Sequence, residues 1–482
     1  MDWLQAPDYW LTRLVLERAL GVIYLVAFLV AALQFRPLLG EKGLLPVPRF
    51  LKRVKFLEAP SLFHAHYSDA LLLTVAWTGV GLSALVVVGV VDVAPPVIAI
   101  LVWFALWALY LSIVNVGQIF YGFGWETLLL EAGFLAIFLG AGPTVPAWPL
   151  ILLFRWLVFR VEFGAGLIKL RGDSCWRSLT CLYHHHETQP MPNPLSWFFH
   201  HLPKRVHRLE VLGNFFAQLV VPFFLFAPQP VASIAGAIIV ITQAWLVLSG
   251  NFSWLNFLTM AIAFSASDDR TLSLFLPVHP PHLAALPLWW QLLVLAVTVM
   301  VVVKSYRPIL NLISRQQLMN FSYDPFHLVN TYGAFGSVTK ERYEIIVEGS
   351  ADPALPGASW KAYEFKGKPG DMHRMPRQYA PYHLRLDWLM WFAAMESPFR
   401  HQWLIAFLIR LLEGDRATLK LLRFNPFPNE PPKAVRAHLY RYTFSSLEQL
   451  RRERVWWVRT PAGEYLPPLV LDAKGSAARM TG

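Results

Sequence analysis

Up to residue 304 the chain alternates long apolar runs with short polar connections, and beyond it this rhythm stops. Apolar runs cover residues 20–33, 70–91, 95–114, 127–142, 150–170, 211–226, 232–248, 252–264 and 288–303. Judged against the roughly 20 residues a helix needs to cross the hydrocarbon, they predict about nine transmembrane helices. The run at 252–264 is the weakest and is read as a crossing or a re-entrant segment. The first run follows Arg18 without a preceding basic region or a small-residue cleavage pattern, which predicts a signal anchor rather than a cleaved leader.

The remainder mixes charged residues, prolines and short apolar stretches. The chain therefore divides into a membrane all-α bundle, 1–304, and a water-exposed, strand-rich α+β C-terminal domain, 305–482. Residues 343–348 and 434–444 have β-type composition with partial alternation, and glycine-containing turns are expected around 332–336 and 366–370. Two apolar segments of helical length, 384–395 and 402–412, are expected to pack on the sheet or lie at the membrane, the second ending at Gly414. The Ala/Gly/Ser-rich tail after Lys474 is expected to be disordered.

Composition agrees with a polytopic protein: 55% of residues are hydrophobic and 15% charged. The net charge of +11 comes from loops and the last third, which points to membrane lipids as partners and not to nucleic acid. With nine crossings, the basic clusters at 36–55, 171–208 and in the tail all fall on one side, and the positive-inside rule assigns that side to the cytoplasm.

The strongest chemical signal lies inside the fifth run. Arg155, Glu162 and Lys169 recur every seven residues, close to two helical turns, and form one stripe with steps of about 10 Å. Each costs on the order of 3 kcal/mol at mid-bilayer, so the stripe demands a wet cavity or partners. Glu126 and Glu131 of the fourth run are the expected counter-charges for Arg155 and Arg160 if the two helices pack together. The glycine-containing connection 115–126, which lacks positive charge, suits the lining of a cavity. Gly164 and Gly166 fit close helix packing. A desolvated Lys169 beside them fits a base of lowered pKa, with Glu162 and Arg155 tuning its charge.

The loop after this run contains Cys175, Cys181 and His184-His185-His186-Glu187. The cysteines allow one bridge or two free thiols, and the residues leave both open. Consecutive histidines without an i, i+4 partner do not form a helical metal site, so no metal is expected, and the loop is read as packed at the interface. His200, His201 and His207 are read as interfacial, without a role.

Four segments carry a family likeness: Tyr183-His-His-His-Glu-Thr-Gln-Pro-Met-Pro-Asn-Pro-Leu-Ser-Trp197, Asn330-Thr-Tyr-Gly-Ala-Phe-Gly336, Trp360-Lys-Ala-Tyr-Glu-Phe-Lys-Gly-Lys-Pro-Gly370 and Pro381-Tyr-His-Leu-Arg-Leu-Asp-Trp388. Together they resemble the lipase maturation factor family over nearly the whole chain. The resemblance implies a polytopic membrane protein that assists folding and assembly of secreted lipases or other exported clients, with no cofactor. Its membrane would be that of the endoplasmic reticulum in a eukaryote or the cytoplasmic membrane in a bacterium, with the tail facing the lumen. Phe163-Gly-Ala-Gly-Leu-Ile-Lys-Leu170 is more distantly similar to the membrane domain of vitamin-K-dependent γ-carboxylases. That likeness supplies an enzyme-class alternative in which Lys169 acts as the base on a quinone-like or lipid substrate.

Overall fold

The computed structural model describes residues 2–140, 142–353, 358–472 and 477–479. Its N-terminal part is helical: α1 (Trp10–Leu39), α2 (Asp69–Val87), α3 (Pro96–Val116), α4 (Gly124–Ala136), α5 (Trp148–Arg171), α6 (Leu182–Thr188), α7 (Ser196–His200), α8 (Lys204–Leu219), α9 (Val231–Ser249), α10 (Leu255–Ala263) and α11 (Leu288–Lys304). Among the described residues six helical segments are long and apolar enough to cross a membrane: Pro7–Leu39, Asp69–Val87, Pro96–Val116, Lys204–Phe226, Val231–Ser249 and Leu288–Ile313.

The expected nine is thus reduced to six on these grounds, and the three shortfalls have physical causes. With 13 and 9 residues, α4 and α10 reach only about 20 and 14 Å, short of a core about 30 Å thick. The third, α5, is long enough but carries Arg155, Arg160, Glu162, Lys169 and Arg171. It is enclosed by α4, α8, α10 and α11, so its charges meet protein. Apolar side chains such as Trp77, Leu101, Phe104 and Val302 are exposed on the outer helices, the surface a lipid environment covers.

The C-terminal part is built on an antiparallel sheet of β3 (Arg342–Ser350), β4 (Lys361–Ala362), β5 (Ala434–Phe444), β6 (Trp457–Leu471) and β7 (Ala477–Arg479), in spatial order β4-β3-β5-β6-β7. A short hairpin, β1 (Phe321–Ser322) with β2 (Asn330–Thr331), precedes it. Alternation along β3 separates two faces. Ile345 and Val347 join the main core with the helices α12 (Arg385–Ala393) and α13 (Gln402–Leu412), whereas Ile346 packs with Trp197, Tyr442, Phe444 and Trp457. The α13 helix stops where Gly414 adopts φ +65°, the left-handed conformation favoured just past a helix end.

Two differences from the sequence reading stand out in this domain. The 15-residue β6 was not expected, because Pro461, Pro467 and Pro468 interrupt its pattern. Register shifts against β5 absorb that irregularity. In the tail after Lys474, Ala477–Arg479 form β7 rather than a disordered end, and the other tail positions after Lys474 lie outside the described residues.

Candidate functional site: the joint between bundle and sheet

Arg155 stands apart from the other two charges of the seven-residue stripe. Arg155 donates to the carbonyls of Ser265 (2.9 Å) and Leu225 (3.0 Å) and to the Tyr9 hydroxyl (3.0 Å). Its guanidinium also faces the Tyr9 and Trp148 rings. Glu162 accepts from Gln243 Nε2 at 2.6 Å, and Gln243 Oε1 accepts from Asn256 at 2.7 Å. Lys169 donates to Asn214 Oδ1 (2.8 Å) and Gln218 Oε1 (3.0 Å) and lies 5.0 Å from the centre of the Trp176 ring. Arg155 is thus held apart, whereas Gln218 of α8 accepts from Lys169 and also hydrogen-bonds Glu162, so these two charges share a neutral amide bridge. The glycines serve close approach: a Cβ at Gly166 would meet Leu219 and Gln218, and one at Gly164 would meet the carbonyl of Tyr332.

The expected counter-charges divide. Glu131 pairs with Arg160, both buried. Glu131 also accepts from the Asn330 backbone N–H (3.0 Å), Asn330 Nδ2 (3.0 Å) and the Tyr332 hydroxyl (2.7 Å). Glu126, by contrast, does not pair with Arg155. It accepts from the Tyr110 hydroxyl and from Arg385 Nη1 at 2.8 Å, so a residue of the C-terminal domain takes the place expected for a membrane helix. Arg385 also donates to the Phe120 carbonyl at 2.6 Å and stacks on Tyr121 with 3.4 Å between guanidinium carbon and ring centre.

These contacts belong to one continuous joint, and all four family-like segments lie in it. The segment 183–197 caps the end of α9, whose last carbonyls have no partner within the helix. Asn193 Nδ2 donates to the carbonyls of Val247 and Leu248, and Gln189 Nε2 and Ser196 Oγ donate to that of Ser249. From the C-terminal domain, Arg342 donates to the carbonyls of Glu187 (2.9 Å) and Gln189 (2.5 Å) and Lys368 to that of Pro190 (3.3 Å), while Trp197 of α7 donates the other way, to the carbonyl of Ser445 (2.9 Å). Glu187 accepts from the Phe444 N–H at 2.7 Å.

The segment 381–388 inserts between the domains. Gln34 of α1 donates to the His383 carbonyl (2.6 Å) and accepts from the Arg385 N–H (3.0 Å), while Trp125 packs edge-on against His383 and Trp388. Asp387 receives the N–H of Gly367 (2.5 Å), linking in the segment 360–370. Burial raises the Asp387 carboxyl to about 6 and lowers the Lys368 ammonium to about 8, as expected for charges sealed inside a joint.

The loop of α6 is tied into the same joint. Cys175 and Cys181 form a disulfide, and the Asp173 N–H and Trp176 Nε1 donate to the carbonyls of Gly336 and Phe335 at 2.9 and 2.8 Å. His185 packs against Phe252 and Phe335. Burial and then the Lys169 charge push its imidazole down to about 4. His184 is part-exposed and hydrogen-bonds the backbone of Lys340, whereas among the described residues both buried ring nitrogens of His186 have no partner. Sequence reasoning missed Arg342, Lys368 and Arg385 in the joint, since charged residues in a water-exposed domain read as solvated.

The connection 115–126 does line a cavity. Asn115, Gln118, Tyr121 and Gly122 border a cleft of about 630 Å³ together with residues 320–325 and part of the loop that follows α1.

The chain is similar to known proteins over nearly its whole length. Residues 11–274 match the model of the lipase maturation factor transmembrane domain, and residues 328–467 that of the lipase maturation factor C-terminal domain. Lipase maturation factor 1 of Bos taurus is 43% identical over 511 residues, covering 97% of this chain and 90% of the relative. The Homo sapiens protein of that name is 42% identical, covering 97% and 89%. Lipase maturation factor 2 of Homo sapiens is 29% identical over 609 residues, covering 96% and 83%. No solved structure matches the chain. With two family models spanning most of its length and its family-like segments gathered in one joint, the chain belongs to the lipase maturation factor family.

Proposed function

We propose that this chain matures secreted lipases, presenting its C-terminal sheet to the client from a membrane-embedded base. The observation that carries the reading is the joint itself. The segments typical of the family fasten the sheet to the bundle, as suits a protein that holds a client-facing domain in fixed register with the membrane. The enzyme-class alternative is not favoured by the stripe, because Arg155 is held apart by backbone carbonyls and Tyr9, while Glu162 and Lys169, joined through Gln218, are both occupied by neutral amide side chains. Lys169→Met is therefore expected to leave lipase maturation intact. Active lipase secreted per lipase molecule, with the wild-type or variant full chain co-expressed, checks this. Loss of activity with normal insertion would restore Lys169 as a base.

The three helices short of the length-and-apolarity test complete nine passes in this reading. Successive helices from α1 to α5 and from α8 to α11 connect the joint with the opposite end, where Arg13 meets Gly142 and Arg18 meets Asp92. The disulfide lies at the joint end, beside the C-terminal domain, so that end faces an oxidising compartment: the lumen of the endoplasmic reticulum or the bacterial exterior. The basic clusters then stand opposite to the positive-inside expectation, and folded domains translocate with little regard to charge. A cysteine introduced at exposed Glu448 should react with an impermeant maleimide only from that compartment. Labelling from the cytoplasm would reverse the orientation.

A further inference from the structure

Near the joint, beside α6, is a cluster that the maturation reading does not use. His207 and Glu210 lie one turn apart on α8 and point to the same side. His186 of α6 faces them, its ring 5.6 Å from that of His207. One donor atom from each of the three residues lies within 4.8 Å of the other two. We infer that His186, His207 and Glu210 form a binding site for a divalent transition ion, zinc foremost, that clips the entry of α8 to the family loop.

Three features support a metal over a plain hydrogen-bonded cluster. The first is His186: only 3% exposed, it leaves both ring nitrogens without a partner among the described residues. Such a group is rare in a folded interior, and an unplaced ion is one of its standard explanations. The second is the outer shell. His207 Nε2 sits 3.4 Å from the His200 carbonyl, an arrangement that commits Nδ1 to the cluster. Trp245 Nε1 donates to Glu210 Oε1 at 3.0 Å, leaving Oε2 to face His207 Nδ1 at 2.9 Å. Ligating imidazoles and carboxylates are held in this way, by a carbonyl behind the histidine and a donor behind the acid. The third is the donor set. Two imidazoles and one carboxylate suit a zinc site with an open fourth position. Zinc bonds of about 2.1 Å put tetrahedral ligands about 3.4 Å apart, so the His207–Glu210 pair at 2.9 Å would open slightly while His186, within 4.8 Å, would move in by on the order of 1 Å. His200, whose Nδ1 is also buried without a partner, stands beside the cluster with its carbonyl already on His207.

The test uses the full chain, purified in detergent and stripped with a chelator. Cobalt(II) should bind one ion per chain and give the visible absorption of a tetrahedral site, and zinc should displace it. His207→Ala and Glu210→Gln should each weaken uptake at least about tenfold. His186→Phe keeps a ring in the buried space and removes the orphan nitrogens. Zinc should raise the melting temperature of the wild type and not that of His186→Phe. Absence of stoichiometric cobalt uptake would overturn the inference. So would equal uptake by the wild type and the three variants, or an equal response of the wild type and His186→Phe to zinc. Retention of the cobalt spectrum in Cys175→Ser/Cys181→Ser is expected, and its loss would move the site to the thiols and overturn the assignment.

Discussion

Arg385→Ala should destabilise the full chain by about 3–5 kcal/mol, the usual cost of removing one partner of a buried ion pair. Neither member of the Arg385–Glu126 pair is exposed. Without the guanidinium, Glu126 loses its cation and keeps neutral donors such as the Tyr110 hydroxyl, the Phe120 carbonyl loses its donor, and Tyr121 loses the cation stacked on its face. Lysine is a poor substitute, because its point charge offers neither the planar stacking nor the fork geometry. The defect should show as a lower melting temperature and as protease cleavage between bundle and sheet. Glu126→Gln combined with Arg385→Met should recover much of the loss, since an ion pair replaced at both ends leaves no orphan charge. An Arg385→Ala protein that melts like the wild type would mean that the pair contributes little to docking.

Glu131→Ala is the second large effect, of similar size. Four groups converge on this carboxylate: Arg160, the Asn330 backbone N–H, the Asn330 side chain and the Tyr332 hydroxyl. Removing it leaves a buried cation at 1% exposure, although the Asn330 carbonyl still accepts from Arg160 at 2.7 Å. Loss of monodisperse protein on gel filtration is expected, with substantial recovery in Glu131→Leu/Arg160→Met. A single variant as stable as the double variant would contradict the account.

Much of the bundle was legible because an intramembrane charge is costly and must find a partner. That logic pointed to Glu131 and Arg160 from the sequence alone. It failed for Arg155, which is satisfied by backbone carbonyls and a tyrosine, groups that leave no mark in a charge pattern. It also misplaced Glu126, whose partner Arg385 lies 259 positions away in a segment that reads as solvated. The helices α12 and α13 and the strands β3 and β5 followed from periodicity. β6 did not, because its prolines and bulges erase the alternation. The cluster of His186, His207 and Glu210 was hidden by its separation along the chain. Its one local trace is the i, i+3 spacing of His207 and Glu210, a weak signal until the fold brings His186 across.

The joint also changes what the C-terminal domain can do alone. Leu384, Leu386 and Trp388 belong to the same core as α1 and α4 residues such as Leu38 and Leu128, so a fragment beginning near residue 305 would expose that core. On the proposed function, client capture therefore belongs to the intact chain.

The most direct test of that claim is the activity per molecule of a secreted lipase made in cells that lack their own maturation factor. The full chain should raise that activity, Lys169→Met should raise it equally, and Arg385→Ala, which loosens the joint, should not. If the wild-type chain gives no increase while a lipase maturation factor 1 control does, lipase maturation is not its function. If Arg385→Ala matures lipase as well as the wild type despite a loosened joint, fixed docking of the sheet is not what the family segments provide.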